Sequence, residues 1–272
     1  MNAMVSGRKH SKFFREVNTV IAIMARDITL SLKSPSSLFV SLIMPIIMMG
    51  MIGGNLMENM SGGLGFDFGG FMLVGMIINM LFMTSAMNMT SLVEDHGTDF
   101  TQEMLVSPVS RVSIVFGKIL GSMFGAVIAL AGTLIVGLFM GIMLPLPQLM
   151  WLLLLSPLMC VASGAFAMLF IGLIKSTKVA NMLVSVLAMC QMFLSGAVIP
   201  INNSSGILMV LSRIMPMTYC IDLARAVTNW GTSEYNSVVM FNPFVNFIAI
   251  AVLTMVFLLI GTWCFAKSEK NR

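Results

Sequence analysis

The residues that could do chemistry are few and poorly grouped. Two histidines, His10 and His96, stand far apart in a chain of 272 residues. Neither falls in the HExxH pattern that would put two imidazoles on one helix face for zinc. No GxSxG elbow presents a serine nucleophile. The cysteines Cys160, Cys190, Cys220 and Cys264 lack the short spacing of a metal or redox pair, and three lie in apolar runs, where a thiol serves as a small hydrophobe. There is no GxxxxGK[ST] loop to cradle a phosphate, because Gly117-Lys118 lacks the earlier glycine and opens an apolar stretch. A membrane enzyme with its own nucleophile, metal or acid–base pair has no support here. Any ATP must be handled by another chain.

Two polar constellations and a set of isolated amides remain. The first is the run Glu94-Asp95-His96-Gly97-Thr98-Asp99-Phe100-Thr101-Gln102-Glu103-Met104-Leu105-Val106-Ser107-Pro108-Val109-Ser110-Arg111. Asp99 and Gln102 fit a capping box, Pro108 halts the helix, and Phe100, Met104 and Leu105 share one side of it. The second is Asp222 and Arg225, which can pair at i and i+3 on a helix face. Asn79, Thr84, Ser85, Asn88 and Thr90 in one apolar run, and Gln191 and Ser195 in another, must face protein or a cavity.

What positions them is a membrane. The chain is 58% apolar and only 10% charged, with a mean hydropathy of +0.96, whereas soluble domains carry about 25% charged residues. The net charge of +4 is therefore read by location, not as a nucleic-acid footprint. Charge-free runs of 24, 26, 56, 34 and 32 residues follow Lys33, Asp67, Lys118, Lys178 and Glu234. A crossing needs about 20 residues, and Pro145 and Pro147 break the run of 56, so the count is six spans.

Thirteen of the 15 Lys and Arg residues then fall on one side, leaving only Arg213 and Arg225 on the other. That asymmetry places both termini in the cytoplasm. The expected architecture is an all-α membrane protein: a cytoplasmic leader over 1–33, a six-span domain over 34–266 and a cytoplasmic tail over 267–272. Loop 94–118 faces the cytosol. The outer segment 202–234 is apolar but broken at Met215-Pro216, which suits one or two re-entrant half-helices.

The leader is not a signal peptide, since charges interrupt its apolar core. Phe13, Val17, Val20, Ile21, Met24 and Ile28 share a face, as in a helix lying along the inner membrane surface. Ser34-Pro35 predicts the N-cap and first position of span one. In span three, Gly117, Gly121, Gly125, Ala129, Thr133, Gly137 and Gly141 recur every four residues. Such a ridge admits close helix packing, within the chain or against another copy.

Three stretches together resemble the type-2 ATP-binding-cassette exporter permeases, a family that includes drug and polysaccharide exporters. They are Phe100 through Arg111, Gly117-Lys118, and Pro200 with Met215-Pro216-Met217-Thr218-Tyr219-Cys220-Ile221-Asp222-Leu223-Ala224-Arg225. Asp99 stands where many relatives have Gly. The resemblance implies a dimer of permeases, homomeric or heteromeric, above separate ATPase subunits that hold the ATP and magnesium. It makes Phe100, Glu103, Met104, Leu105 and Pro108 ATPase-coupling residues, and Pro216, Tyr219, Asp222 and Arg225 part of an outer gate.

Asn79, Asn88 and Gln191 are the pathway candidates; Gly117, Gly121 and Gly125 are the packing candidates. Thirty Met and 19 Phe against three Trp and two Tyr favour an amphiphilic drug, peptide or lipid-like substrate over a sugar polymer. A stand-alone permease suggests a bacterial cell membrane, so Asn202-Asn203-Ser204-Ser205 matches a glycosylation acceptor by chance. The alternative is a secondary transporter or channel not driven by ATP. Such a transporter usually keeps an ionisable group within its spans, and in this reading Lys118, Lys175 and Lys178 lie only at membrane edges.

Overall fold

The computed structural model describes residues 2–60, 66–91, 93, 110–171, 174, 176–201 and 206–270. Helix and turn account for the described residues, with no strand among them. The leader forms α1 (Asn2–Lys33). Pro35 opens α2 (Pro35–Met48) from the first helical position, where its missing N–H costs nothing. The Ser34 hydroxyl does not cap that helix as the sequence suggests; it lies 3.4 Å from the Ser36 hydroxyl, while the Ser34 N–H is taken by the Ser31 carbonyl. Pro45 removes a rung inside α2, and a π-turn over Met49–Gly53 follows before α3 (Gly54–Met60).

The remaining elements are α4 (Phe68–Asn88), α5 (Arg111–Phe139), α6 (Leu146–Ile171), α7 (Thr177–Leu194), α8 (Ile207–Ile214), α9 (Pro216–Thr228), α10 (Tyr235–Val238) and α11 (Pro243–Lys270). Asp67 caps α4 through the Gly69 and Gly70 N–H groups, at 3.0 and 3.1 Å. Ser110 caps α5 through the Ser113 N–H at 3.2 Å. The Pro145 turn separates α5 from α6 as the sequence indicates. Among the described residues six helical stretches are long and apolar enough to cross a membrane, or seven if the bent pair Ile207–Ile214 and Pro216–Thr228 counts as one span. At 21 residues, α4 spans about 31 Å, the thickness of the hydrocarbon.

Helix α4 is the axis of the bundle. Every residue from Phe71 to Phe82 is buried, because α5, α6, α7 and α9 pack around it. That is why its sequence is apolar all round rather than amphipathic. One core, with Leu73, Ile77, Leu81, Met159 and Met217, surrounds most of its length. A second, with Ala86, Met89, Val115, Ile119 and Met168, closes the end of α4 near Asn88. By contrast the stretches Leu38–Asn59, Thr177–Leu194 and Tyr235–Cys264, which include most of α2, α7 and α11, are mostly uncovered. Their exposed faces carry residues such as Phe39, Met182 and Leu259.

The small-residue ridge of α5 is used inside the chain. A Cβ on Gly117 would lie 2.9 Å from Ile23 Cβ, and one on Gly121 would lie 2.7 Å from Asp27 Cβ, so both glycines admit α1. Gly125 faces Asn88 and Thr84 of α4, and Gly137 faces Leu73. Within the chain these glycines pack against α1 and α4.

Candidate functional site

Residues 207–228 form a bent helix pair. Helices α8 and α9 meet at 80° across Met215, because Pro216 has no N–H to continue the ladder and its ring excludes a helical predecessor. The break leaves carbonyls at the end of α8 without helical partners. The Thr218 hydroxyl donates to the Ser212 carbonyl at 2.6 Å and the Tyr219 hydroxyl to the Arg213 carbonyl at 2.7 Å. The Pro216-Met217-Thr218-Tyr219 run is thus a self-capping kink: the proline stops one helix and the next two hydroxyls satisfy what it orphaned. All of α8 except Ser212 is exposed, whereas Pro216, Met217, Thr218 and nearly every residue from Cys220 to Thr228 are buried.

Two charged residues then fasten α9 to the bundle. The Asp222 carboxylate accepts from the Met240 and Phe241 N–H groups at 2.7 and 2.8 Å, and from the Asn246 side-chain amide at 2.7 Å. It holds the turn that enters α11. Arg225 points the other way. Its Nη2 donates to the Phe71, Gly196 and Ala197 carbonyls at 3.2, 2.9 and 3.3 Å, and its guanidinium carbon lies 3.3 Å from the Phe71 ring centroid. A direct Asp222–Arg225 ion pair, which the i, i+3 spacing allows, does not form. Each group is used on orphaned backbone instead, the stronger demand in a buried site.

This anchor recruits residues that sequence reasoning did not single out. A Cβ on Gly75 would sit 2.0 Å from the Ala197 carbonyl oxygen and 2.9 Å from Arg225 Nη2. Only glycine lets α4 pass this close to the 195–198 turn. Gly196 supplies a φ of +76° in that turn, a conformation that favours glycine. Phe71 and Gly75 lie one turn apart on the same face of α4, a spacing visible in the sequence but silent about its partner.

Where α4 ends and α5 begins, polar ties join three segments. The Ser110 N–H donates to both Glu16 carboxylate oxygens at 3.1 Å, and the Ser113 hydroxyl together with Ser110 holds the Glu16 carboxyl below its ordinary pKa. Lys118, in the second turn of α5, is only 4% exposed. Its Nζ lies 3.3 Å from each Asp27 oxygen and donates to the Ser91 hydroxyl at 2.9 Å. A lone cation in an apolar helix demands a counter-ion, and Asp27 on the leader provides it. The leader's protein-facing stripe is therefore Glu16, Val20, Ile23 and Asp27, while Phe14, Val17 and Ile21 face outward.

The pathway candidates separate. Asn79 is buried against Met217, its amide 3.9 Å from the sulfur, and its carbonyl oxygen has no partner. Gln191 is 1% exposed with both side-chain polar atoms unpartnered. Asn88 is half-buried and borders a cavity of about 170 Å³ together with Asp27, Ser91 and Lys118. The coupling residues Phe100, Glu103, Met104, Leu105 and Pro108 lie outside the described residues, as does the Asp99 capping box.

Comparison with curated proteins finds no match. The ABC-2 type transporter family profile matches residues 18–229, well over half the chain. The matched stretch runs from the leader stripe through the self-capping kink and both anchors. With its six membrane-crossing helices, the chain belongs to the ABC-2 type transporter family and is the membrane-embedded permease subunit of an ABC-type transporter.

Proposed function

We propose that this chain forms a substrate pathway with a second permease copy and is driven, as an exporter, by separate ATPase subunits that dock on the 94–111 loop. The ATP and magnesium belong to that partner. In this reading residues 1–33 are a cytoplasmic leader, both termini are cytoplasmic, and the membrane is a bacterial cell membrane. The uncovered apolar faces of α2, α7 and α11 meet lipid or the second copy. The outer hairpin, with Pro216, Tyr219, Asp222 and Arg225, caps the exit. The substrate class is an amphiphilic drug, peptide or lipid-like molecule.

The observation that carries the reading is the pair of ties at the two ends of the loop. Glu16 holds Ser110 where the loop enters α5, and Lys118 joins Asp27 of the leader to Ser91 where the loop leaves α4. A push on residues between them reaches the leader, α4 and α5 as one unit, which is what a transmission needs. Glu103→Arg reverses a charge in the loop without touching a span. It should leave membrane levels normal while abolishing export and substrate-stimulated ATP hydrolysis, since a mismatched charge at a protein contact costs several kcal/mol. Normal export by both Glu103→Arg and Met104→Asp would remove the loop from the mechanism.

One observation favours a second reading. The Lys118–Asp27 pair is an ionisable pair within the bundle, the kind of group an ion-coupled secondary transporter uses.

A further inference from the structure

The outer face carries a second feature, distinct from the kink and its anchors. A cleft of about 500 Å³ lies between the end of α3, the start of α4, the α5–α6 turn and the segment after α9. Its volume falls in the range of small-molecule sites, and its lining mixes polar and apolar surface about equally. Met57, Phe71 and Met143 supply apolar surface, Gln148 supplies an amide, and Asp67 and Glu234 supply two carboxylates. Met143 is 77% exposed at the rim, so the cleft opens outward.

No Lys, Arg or His lines this cleft, and neither carboxylate has an ion-pair partner among the described residues. Both are held in place by backbone. Asp67 caps the Gly69 and Gly70 N–H groups, and a Glu234 oxygen accepts the Asp67 N–H at 3.1 Å. Two fixed negative charges therefore stand beside thioether and aromatic surface, neither in an ion pair among the described residues, with Arg225 on the ring of Phe71. Unbranched methionines adapt their shape to varied apolar bodies.

We propose that this outer cleft binds an organic cation: a positive centre at Asp67 and Glu234, and an apolar body against Met57, Met143 and Phe71. Phe71 also links the cleft to the outer anchor, because Arg225 stacks on its ring and bonds its carbonyl. An occupant pressing on Phe71 acts on the residue that fixes α9. The proposal rests on the outward placement of this face but not on ATPase coupling, so it can fail while the exporter reading stands.

The test uses the full chain in nanodiscs of zwitterionic lipid, without ATP, and measures equilibrium binding of tetraphenylphosphonium. The expected result is saturable binding that weakens about fivefold or more in Glu234→Gln, which keeps an acceptor for the Asp67 N–H, and in Met143→Arg, which places a cation on an exposed rim. Neutral triphenylphosphine oxide should bind at least about tenfold more weakly. Equal binding of the neutral compound, or unchanged tetraphenylphosphonium binding in both variants, overturns the proposal. Binding of calcium alone that displaces tetraphenylphosphonium and is lost in Glu234→Gln would mark a metal site instead, and would overturn it too.

Discussion

Replacing Gly75 with alanine adds one methyl group where the bundle has no room for it. The new Cβ would stand 2.0 Å from the Ala197 carbonyl oxygen, so the two must separate by more than about 1 Å to reach ordinary contact. That oxygen is backbone in a fully buried turn, and it accepts from Arg225 Nη2 at 3.3 Å. Overpacking alone costs about 1–3 kcal/mol. Moving the turn also weakens hydrogen bonds to a buried charge, at roughly 1.5–3 kcal/mol each. A loss of about 3–5 kcal/mol follows, which for a chain of this size lowers Tm by on the order of 10 °C.

The assay is thermal unfolding in detergent, read by a thiol-reactive dye on a background lacking Cys190 and Cys264. Cys160 and Cys220 are buried and become reactive only on unfolding. Gly54→Ala is the control, since a Cβ there meets nothing within 4 Å, and it should melt within about 1 °C of the parent or slightly above it. If Gly75→Ala also melts within about 1–2 °C of the parent and exports normally, the close approach of α4 to the 195–198 turn is wrong.

Asp222→Ala leaves the Met240 and Phe241 N–H groups without their acceptor, and Arg225→Met leaves three carbonyls without their donor. Each should cost roughly 2–4 kcal/mol and reduce export while the ATPase still co-purifies. Loss of the ATPase from either variant would count against the outer placement of α9. Lys118→Met should destabilise by about 1–3 kcal/mol, because Asp27 loses its 3.3 Å contact and keeps Arg26 at 3.6 Å, and Asp27→Asn combined with Lys118→Met should recover part of that loss. Additive single effects in that cycle would contradict the tie.

The spans were readable because charge is so costly in hydrocarbon that its absence alone marks the crossings. Pro145 and Pro216 were readable as breaks because proline's effect is local and independent of partners. The outer site was legible only in part. Asp222 and Arg225 stand out as a charged pair in an apolar stretch, but spacing on one helix cannot say which backbone groups elsewhere need them. Met240 and Phe241, 18 and 19 residues away in sequence, and Gly196, 29 residues back, won over the neighbour three residues on. Lys118 likewise stood out as a charge but did not name its partner. Its counter-ion lies 91 residues earlier in sequence, on a leader whose acidic side, from amphipathicity alone, reads as facing solvent.

The central claim is that ATP hydrolysed by a partner moves substrate through this chain. The most direct measurement is uptake of the fluorescent dye rhodamine 6G into inside-out vesicles containing the chain and its ATPase, with ATP and imposed ion gradients supplied separately. The account predicts uptake with ATP, none with a non-hydrolysable analogue, no change when ionophores collapse proton and sodium gradients, and loss of the ATP-driven signal in Met104→Asp. Uptake driven by an imposed proton or sodium gradient without ATP, and abolished in Lys118→Met, would contradict it and establish the ion-coupled transporter instead.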